Sequence, residues 1–293
     1  MCSIVKILKM EEKALKPKRS YIHSTANNYQ SRYQSFSAWA NEDKNAKPAK
    51  KCRELLIHFL SLRISQHLLT ENSTLLDYTN ITLVDAGCGP GRDLKEFSRC
   101  QVTIPLTSTY SKPSGANILK TCFNESCYVC KRKPPTHHET SNVVMHQSNI
   151  EPIGFDTCAG FVDECRQIGL NVVLSDFVNF FQNTKGTSVE QKIRGKFHSI
   201  FALASLFHLP SVELQMVLEL FKSNLNPDVG VLLTSIPGGS RDELGSDGRW
   251  SLNLSGSKQK EMLEKAGFEV IFEEQMSIYN GSNWIVLVSV IKR

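Results

Sequence analysis

The sequence predicts a single doubly wound α/β domain with a mostly parallel seven-stranded sheet, helices on both faces and one long insertion. Three observations predict it. Short apolar runs alternate with segments of helical period along most of the chain, the order that gives parallel strands joined by helical crossovers. One of those runs, Ile81-Thr82-Leu83-Val84, ends in Asp85 and a glycine-rich turn, at the strand end where open α/β sheets bind ligands. Composition is that of an ordinary globular protein, 41% hydrophobic and 22% charged over 293 residues, enough to build a sizeable core.

The elements follow in order. Residues 1–24 read as a basic, mobile arm, and the short apolar patch at its start is too weak for a signal peptide. Residues 27–65 have helical spacing, with Tyr29 and Tyr33 on one face and Leu55, Leu56, Phe59, Leu60 and Ile64 as an apolar stripe. The first strand, 81–84, leads through the glycine turn to a helix at 93–99. Residues 101–149 then change character: Ser, Thr, Pro, Lys, Cys and His dominate without periodicity, which reads as an insertion, because structureless loops of that length are uncommon inside a domain. Further strands are expected at 153–156, 172–174, 197–205, 229–236, 268–272 and 284–291. Helices are expected at 161–168, 212–223 and 258–266, the last stopped by Gly267. Residues 25–293 are expected to form this one domain, with 101–149 as its insertion.

The decisive segment is Asp85-Ala86-Gly87-Cys88-Gly89-Pro90-Gly91. Glycines let a backbone turn tightly and let a ligand approach without a Cβ in the way. A simple tight turn between strand and helix is the competing explanation. The spacing is G-x-G-x-G, whereas a dinucleotide fingerprint is G-x-G-x-x-G, which opposes a nicotinamide oxidoreductase. With Asp85 two residues before the first glycine, the segment resembles the first motif of the class I S-adenosylmethionine-dependent methyltransferases, and a carboxylate suits a nearby sulfonium.

Further segments are similar to that family, in its small-molecule-type branch. The resemblance covers residues 27–293 apart from the insertion and implies a Rossmann-like fold with S-adenosyl-L-methionine as cofactor. Gly154-Phe155-Asp156-Thr157-Cys158 resembles the second strand and its turn, which implies that Asp156 accepts both ribose hydroxyls and that Thr157 lies beside it. Leu174-Ser175-Asp176-Phe177 resembles the third motif, which implies adenine contacts for Asp176 and Phe177. Phe197 to Pro210 resembles the fourth strand and its exit loop. There His198 replaces an Asp, Ala202 and Leu203 are expected under the cofactor, and His208 faces the acceptor as orienting group or base, or else is a buried structural histidine. Asn226-Pro227-Asp228-Val229 resembles the turn before the fifth strand, with Val229 in place of a glycine. Asp247-Gly248-Arg249-Trp250, Ala266-Gly267-Phe268-Glu269-Val270 and Trp284 match the C-terminal portion. They imply an anion-binding role for Arg249, for which a surface salt bridge is an equal alternative. Tyr29 and Tyr33 match a helix that lids the cofactor, core packing being the alternative. The cofactor-binding set is therefore Tyr29, Asp85, Gly87, Cys88, Gly89, Gly91, Asp156, Thr157, Asp176, Phe177, Ala202 and Leu203, with His208 and Arg249 as catalytic candidates.

Cys122, Cys127, Cys130 and His137 in the insertion could supply soft and imidazole ligands to zinc, but their full spacing fits no standard site, and incidental cysteines are the favoured reading. Nine cysteines without an even framework or a secretory signal fit reduced thiols in a cytoplasmic protein. No apolar run approaches the roughly 20 residues needed to cross a bilayer. The net charge of +5 permits RNA contact without arguing for it. Loop four reads Ala204-Ser205-Leu206-Phe207-His208, unlike the Asn/Asp-Pro-Pro-aromatic loop of amino-methylating enzymes, which favours a small-molecule acceptor. An RNA-modifying enzyme and a catalytically inactive methyltransferase-like binding protein are the alternatives. The expected assembly is a monomer or weak dimer.

Overall fold

The computed structural model describes residues 20–70, 74–105, 145–182, 196–278 and 282–293. Three helices open the described chain: α1 (Ser20–Gln30), α2 (Tyr33–Ala40) and α3 (Asp43–Thr70). Then come β1 (Asn80–Ala86), α4 (Arg92–Phe97), β2 (Gln101–Pro105), β3 (Met145–Asp156), α5 (Ala159–Gln167), β4 (Val172–Leu174), α6 (Phe177–Gln182) and β5 (Ser199–Ala202). The chain ends with α7 (Ser211–Asn224), β6 (Val231–Pro237), a small hairpin of β7 (Asp242–Leu244) and β8 (Trp250–Leu252), α8 (Gly256–Lys265), β9 (Phe268–Ile278) and β10 (Ser282–Ile291).

The main sheet runs β2-β3-β1-β5-β6-β10-β9, with β4 also paired to β3. Strands β1, β3, β4, β5 and β6 are mutually parallel, while β10 runs against both β6 and β9. This is the expected Rossmann-like α/β sheet with one strand beyond seven. The extra strand is β2, which pairs antiparallel with Met145–Asn149, so β2 and β4 share the far side of the long β3. The insertion expected over 101–149 is thus shorter: its two ends are sheet strands.

Alternation along the strands builds a core on each face. On β1, Ile81 and Leu83 join the cluster under α3, with Phe59, Leu60 and Phe201. Val84 and Ala86 point the other way, into a cluster with Phe155, Phe180, Phe221 and Phe268. The stripe Leu55, Leu56, Phe59, Leu60 and Ile64 is buried to 3% exposure or less, which is why a helix as long as α3 stays against the sheet.

Two expectations need correction at the N-terminus. The arm expected over 1–24 ends sooner, because helix α1 begins at Ser20; residues 1–19 lie outside the described residues. The helical region at 27–65 is not one helix, because the chain breaks at Ser31-Arg32 and again at Asn41-Glu42. Tyr29 and Tyr33 therefore sit on different helices. The strand expected over 197–205 is confined to Ser199–Ala202, since Ala204 takes a left-handed φ of 52° that a strand does not allow. Among the described residues, no helix is long and apolar enough to cross a membrane.

Candidate functional site

The β1–α4 turn is shaped by its glycines. Gly87, Gly89 and Gly91 have φ of 78°, 52° and 75°, all in the left-handed region that L side chains resist. The N–H groups of Gly87 and Cys88 both donate to the Phe155 carbonyl at 3.0 Å, and the N–H of Gly89 donates to Asp156 Oδ2 at 2.9 Å. The turn is thus tied to the end of β3. A Cβ on Gly87 would lie 2.5 Å from the Ser205 Cβ, and one on Gly91 would lie 2.6 Å from Cys165 Sγ, whereas one on Gly89 would meet no atom within 4 Å. Gly87 and Gly91 permit close packing; Gly89 faces open space.

That space is a cleft of about 900 Å³, its open mouth included, along the carboxyl ends of β1, β3, β4 and β5. Four carboxylates line it, Asp85, Asp93, Asp156 and Asp176; Asp93 is ion-paired with Arg53 and Arg92, and the other three form the floor. Asp85 is 4% exposed, and its Oδ2 has no hydrogen-bond partner among the described residues. Burial first, and the neighbouring Asp93 charge second, push its carboxyl well above the usual range, against the pull of Arg92. Asp156 is also pushed up by burial, opposed by the backbone N–H groups it accepts from Cys158 and Gly89. Asp176 accepts from the Asn179 backbone N–H at 2.8 Å and so caps α6 while still facing the cleft. A floor of this kind welcomes a cation, because a positive group restores the charged form of Asp85 and Asp156.

The roof is α1 and α2. Gln30 Oε1 accepts from the Gly160 N–H at 2.8 Å, Asn28 Nδ2 donates to the Asp247 carbonyl at 3.0 Å, and the Tyr21 hydroxyl donates to buried Glu213 on α7. Arg92 Nη1 donates to the Ala40 carbonyl at 2.8 Å while its other face meets Asp93 at 2.7 Å, and Asp93 also pairs with Arg53 of α3. These bonds clamp the two helices over the glycine turn. Their rings wall the cleft: Tyr29 stands 5.2 Å from Phe36 and 6.0 Å from Phe161, and Phe36 stands 5.0 Å from Trp39.

At one end of the cleft Tyr29 Oη meets His208 Nε2 at 2.8 Å, and His208 Nδ1 meets the Trp250 carbonyl at 3.0 Å. A carbonyl only accepts, so Nδ1 carries the proton; Nε2 is then an acceptor, and the Tyr29 hydroxyl donates to it. Burial pushes the imidazole down to about 4, which keeps it neutral at pH 7. Arg249 sits behind this pair. It forms an ion pair with Asp247 at 2.7 Å, reaches Tyr29 Oη at 3.5 Å and lies over the Tyr29 ring at 5.6 Å.

Ten of the twelve expected cofactor residues line this one cleft: Tyr29, Asp85, Gly87, Cys88, Gly89, Asp156, Thr157, Asp176, Phe177 and Leu203. His208 lines it too. Gly91 caps α4 and packs on Cys165 instead, and Ala202 is fully buried in the core beneath. Arg249 does not line the cleft, since Asp247 engages its guanidinium. His198 lies at the far end of β5, accepting from the Thr82 N–H at 3.1 Å. Cys122, Cys127, Cys130 and His137 fall outside the described residues. The sequence reading missed Thr25, Phe36, Trp39, Phe161 and Ser205. Thr25 was accessible as the position one helical turn before Tyr29; Ser205 carries no signal apart from its loop.

A family model described as a methyltransferase domain matches residues 52–288. Among solved structures the fold is similar to 1,6-didemethyltoxoflavin-N1-methyltransferase of Burkholderia thailandensis, which was crystallised with bound 1,6-didemethyltoxoflavin and S-adenosylhomocysteine. The TM-score is 0.53, with 13% identity over 94% of this chain and 90% of that one. Magnesium protoporphyrin IX methyltransferase of Synechocystis PCC 6803, with bound S-adenosylmethionine, gives a TM-score of 0.49 and 11% identity over 93% and 97%. No curated protein matches the chain.

Proposed function

This chain belongs to the methyltransferase-domain family, and from that membership we propose that it transfers a methyl group from S-adenosyl-L-methionine, bound over the glycine turn, to a small-molecule acceptor. The observation that carries the reading is the floor of the cleft: a buried Asp85 oxygen without a hydrogen-bond partner among the described residues lines the same cleft as a glycine whose absent side chain leaves open space. Both features suit a cationic ligand resting on bare backbone.

S-adenosylmethionine supplies a methyl carbon already activated on a sulfonium, so the chain's task is to bind, orient and keep water out. Asp85 offers its free oxygen to the ammonium of the methionine tail. Asp156 is held by the Gly89 and Cys158 N–H groups, and its remaining lone pairs can accept from ribose hydroxyls. Thr157, Asp176 and Phe177 border the neighbouring end, where a nucleobase fits. The clamped α1–α2 roof, with its aromatic rings, dries the site and strengthens the interaction between sulfonium and carboxylates.

His208 has both ring nitrogens engaged, so it acts as a positioning residue for Tyr29 and not as a free base. An acceptor that is nucleophilic without help fits such a site. The roof closed over a cleft of this size also favours a small molecule over a polymer. Two measurements test the reading. Titration calorimetry with S-adenosylhomocysteine should show one site. Incubation of cell-extract metabolites with methyl-labelled donor should put label into a small molecule; label in RNA alone, or no heat on titration, would overturn it.

A further inference from the structure

We infer that the methyl acceptor is an uncharged, flat molecule whose polar group is held by Thr25 Oγ1 and Ser205 Oγ. The inference rests on the reading of the cleft as a methyl-transfer site, and it names the class of the acceptor.

Two buried hydroxyls lack a use. Thr25 and Ser205 are each 7% exposed, both line the cleft, and neither hydroxyl has a hydrogen-bond partner among the described residues. Buried polar groups are almost always satisfied, so two orphans in one cleft mark where a ligand atom belongs. They also belong to two elements that meet at one end of it. Thr25 lies one turn before Tyr29 on α1, so the two share a face. Ser205 opens the short helical turn that carries His208. The Tyr29–His208 bond at 2.8 Å joins the two elements at one corner of the cleft. Ser205 stands against Gly87, so this corner adjoins the glycine turn.

The charges around the corner select against ions. His208 is neutral and Tyr29 keeps its proton, donated to His208. Arg249 is paired with Asp247 behind Tyr29, and Arg92, which lines the cleft, is paired with Asp93. Among the described residues that line the cleft no cation is left without a carboxylate partner to greet an anion, and the carboxylates of the floor repel one. A protonated amine would meet the donor's own positive charge and has no lone pair with which to attack. A neutral hydroxyl or ring nitrogen avoids both problems. On transfer its lone pair bonds the methyl carbon and the carbon–sulfur pair stays on sulfur; a hydroxyl then loses its proton to solvent at the open mouth of the cleft, whereas a ring nitrogen without a proton keeps the positive charge. The rings of Tyr29, Phe36 and Phe161, spaced 5.2 to 6.0 Å apart, offer edges and faces to a flat molecule.

The test uses the full chain saturated with S-adenosylhomocysteine and three probes of one shape: 2-naphthol, 2-naphthoate and 2-naphthylmethylammonium. Calorimetry should find 2-naphthol binding at least tenfold more tightly than either ion. Thr25→Val and Ser205→Ala should each weaken 2-naphthol about tenfold, the scale of one lost buried hydrogen bond, while S-adenosylhomocysteine affinity stays within about twofold. Thr25→Ser should restore the probe. A structural role for Thr25 would instead lower both affinities together. Equal binding of an ion, unchanged probe affinity in both variants, or failure of all three probes on protein that binds S-adenosylhomocysteine would overturn the inference alone. Failure of S-adenosylhomocysteine to bind wild-type protein would overturn the methyl-transfer reading and this inference with it.

Discussion

Gly89→Ala separates binding from folding. Gly89 has φ of 52° and would carry its Cβ into space with no atom within 4 Å. The fold therefore loses only the left-handed backbone cost of an L residue, about 1–2 kcal/mol, which lowers the melting temperature by about 2–4 °C in a chain of this size. The new methyl group occupies the place assigned to the cofactor, so affinity for S-adenosylhomocysteine should fall at least tenfold, about 1.4 kcal/mol. Gly91→Ala is the control. Its Cβ would lie 2.6 Å from Cys165 Sγ and 2.8 Å from Leu170 Cδ1, adding an overpacking cost of about 1–3 kcal/mol to the same backbone cost, away from the cleft. Urea unfolding and calorimetry on both variants give the comparison: Gly89→Ala the weaker binder, Gly91→Ala the weaker fold. Wild-type affinity in Gly89→Ala, or equal loss of stability in the two, would refute the reasoning.

Three further outcomes are expected. His198 is pushed down to about 4 by burial, so the folded imidazole stays neutral where the unfolded one, near 6.5, takes a proton. Its contribution is complete above about pH 6.5 and is lost as pH falls toward 4, about 2 kcal/mol by pH 5. The raised carboxyls of Asp85 and Asp156 act in the opposite sense, so the imidazole is isolated by comparison with His198→Asn, whose amide oxygen can still accept from Thr82. That variant should lose about 2 kcal/mol less than wild type between pH 7 and pH 5, and parallel urea midpoints would contradict this. Asp93→Asn leaves Arg53 and Arg92 buried without their shared carboxylate, at a cost of about 3–5 kcal/mol in urea unfolding; a loss under about 1 kcal/mol would show that the ions find other partners. Tyr21→Phe removes the donor to Glu213, which is 4% exposed, and should cost about 1–3 kcal/mol and speed proteolysis of the α1 segment; unchanged stability and cleavage would argue that the clamp is elsewhere.

The central strands of the sheet were legible because they are apolar and each ends in a recognisable turn. β1, β4, β6 and β10 lie within about two residues of their expected positions. What was not legible follows from exposure. Met145–Asn149 and β2 pair at a sheet edge, where alternate residues face solvent and the sequence reads as polar loop. The β7–β8 hairpin has almost no buried residue to give it a period. At the site, the glycines and the strand-end acids announced themselves through local motifs. Of the roof only the tyrosine-bearing helix carried a signal; Phe36 and Trp39 did not, because they reach the cleft only through the breaks between α1, α2 and α3. Arg249 was assigned to a ligand through the resemblance of Asp247–Trp250, with a surface salt bridge as the equal alternative, and only three-dimensional proximity shows Asp247 engaging it.

The central claim is the seat of the donor, and a crystal structure of the chain with S-adenosylhomocysteine tests it most directly. The ligand should lie between the Gly87–Gly89 turn and the α1–α2 roof, its ammonium on Asp85 Oδ2 and its ribose on Asp156. Density for the ligand elsewhere, or a cleft filled by the chain's own side chains with the ligand absent, would contradict the account.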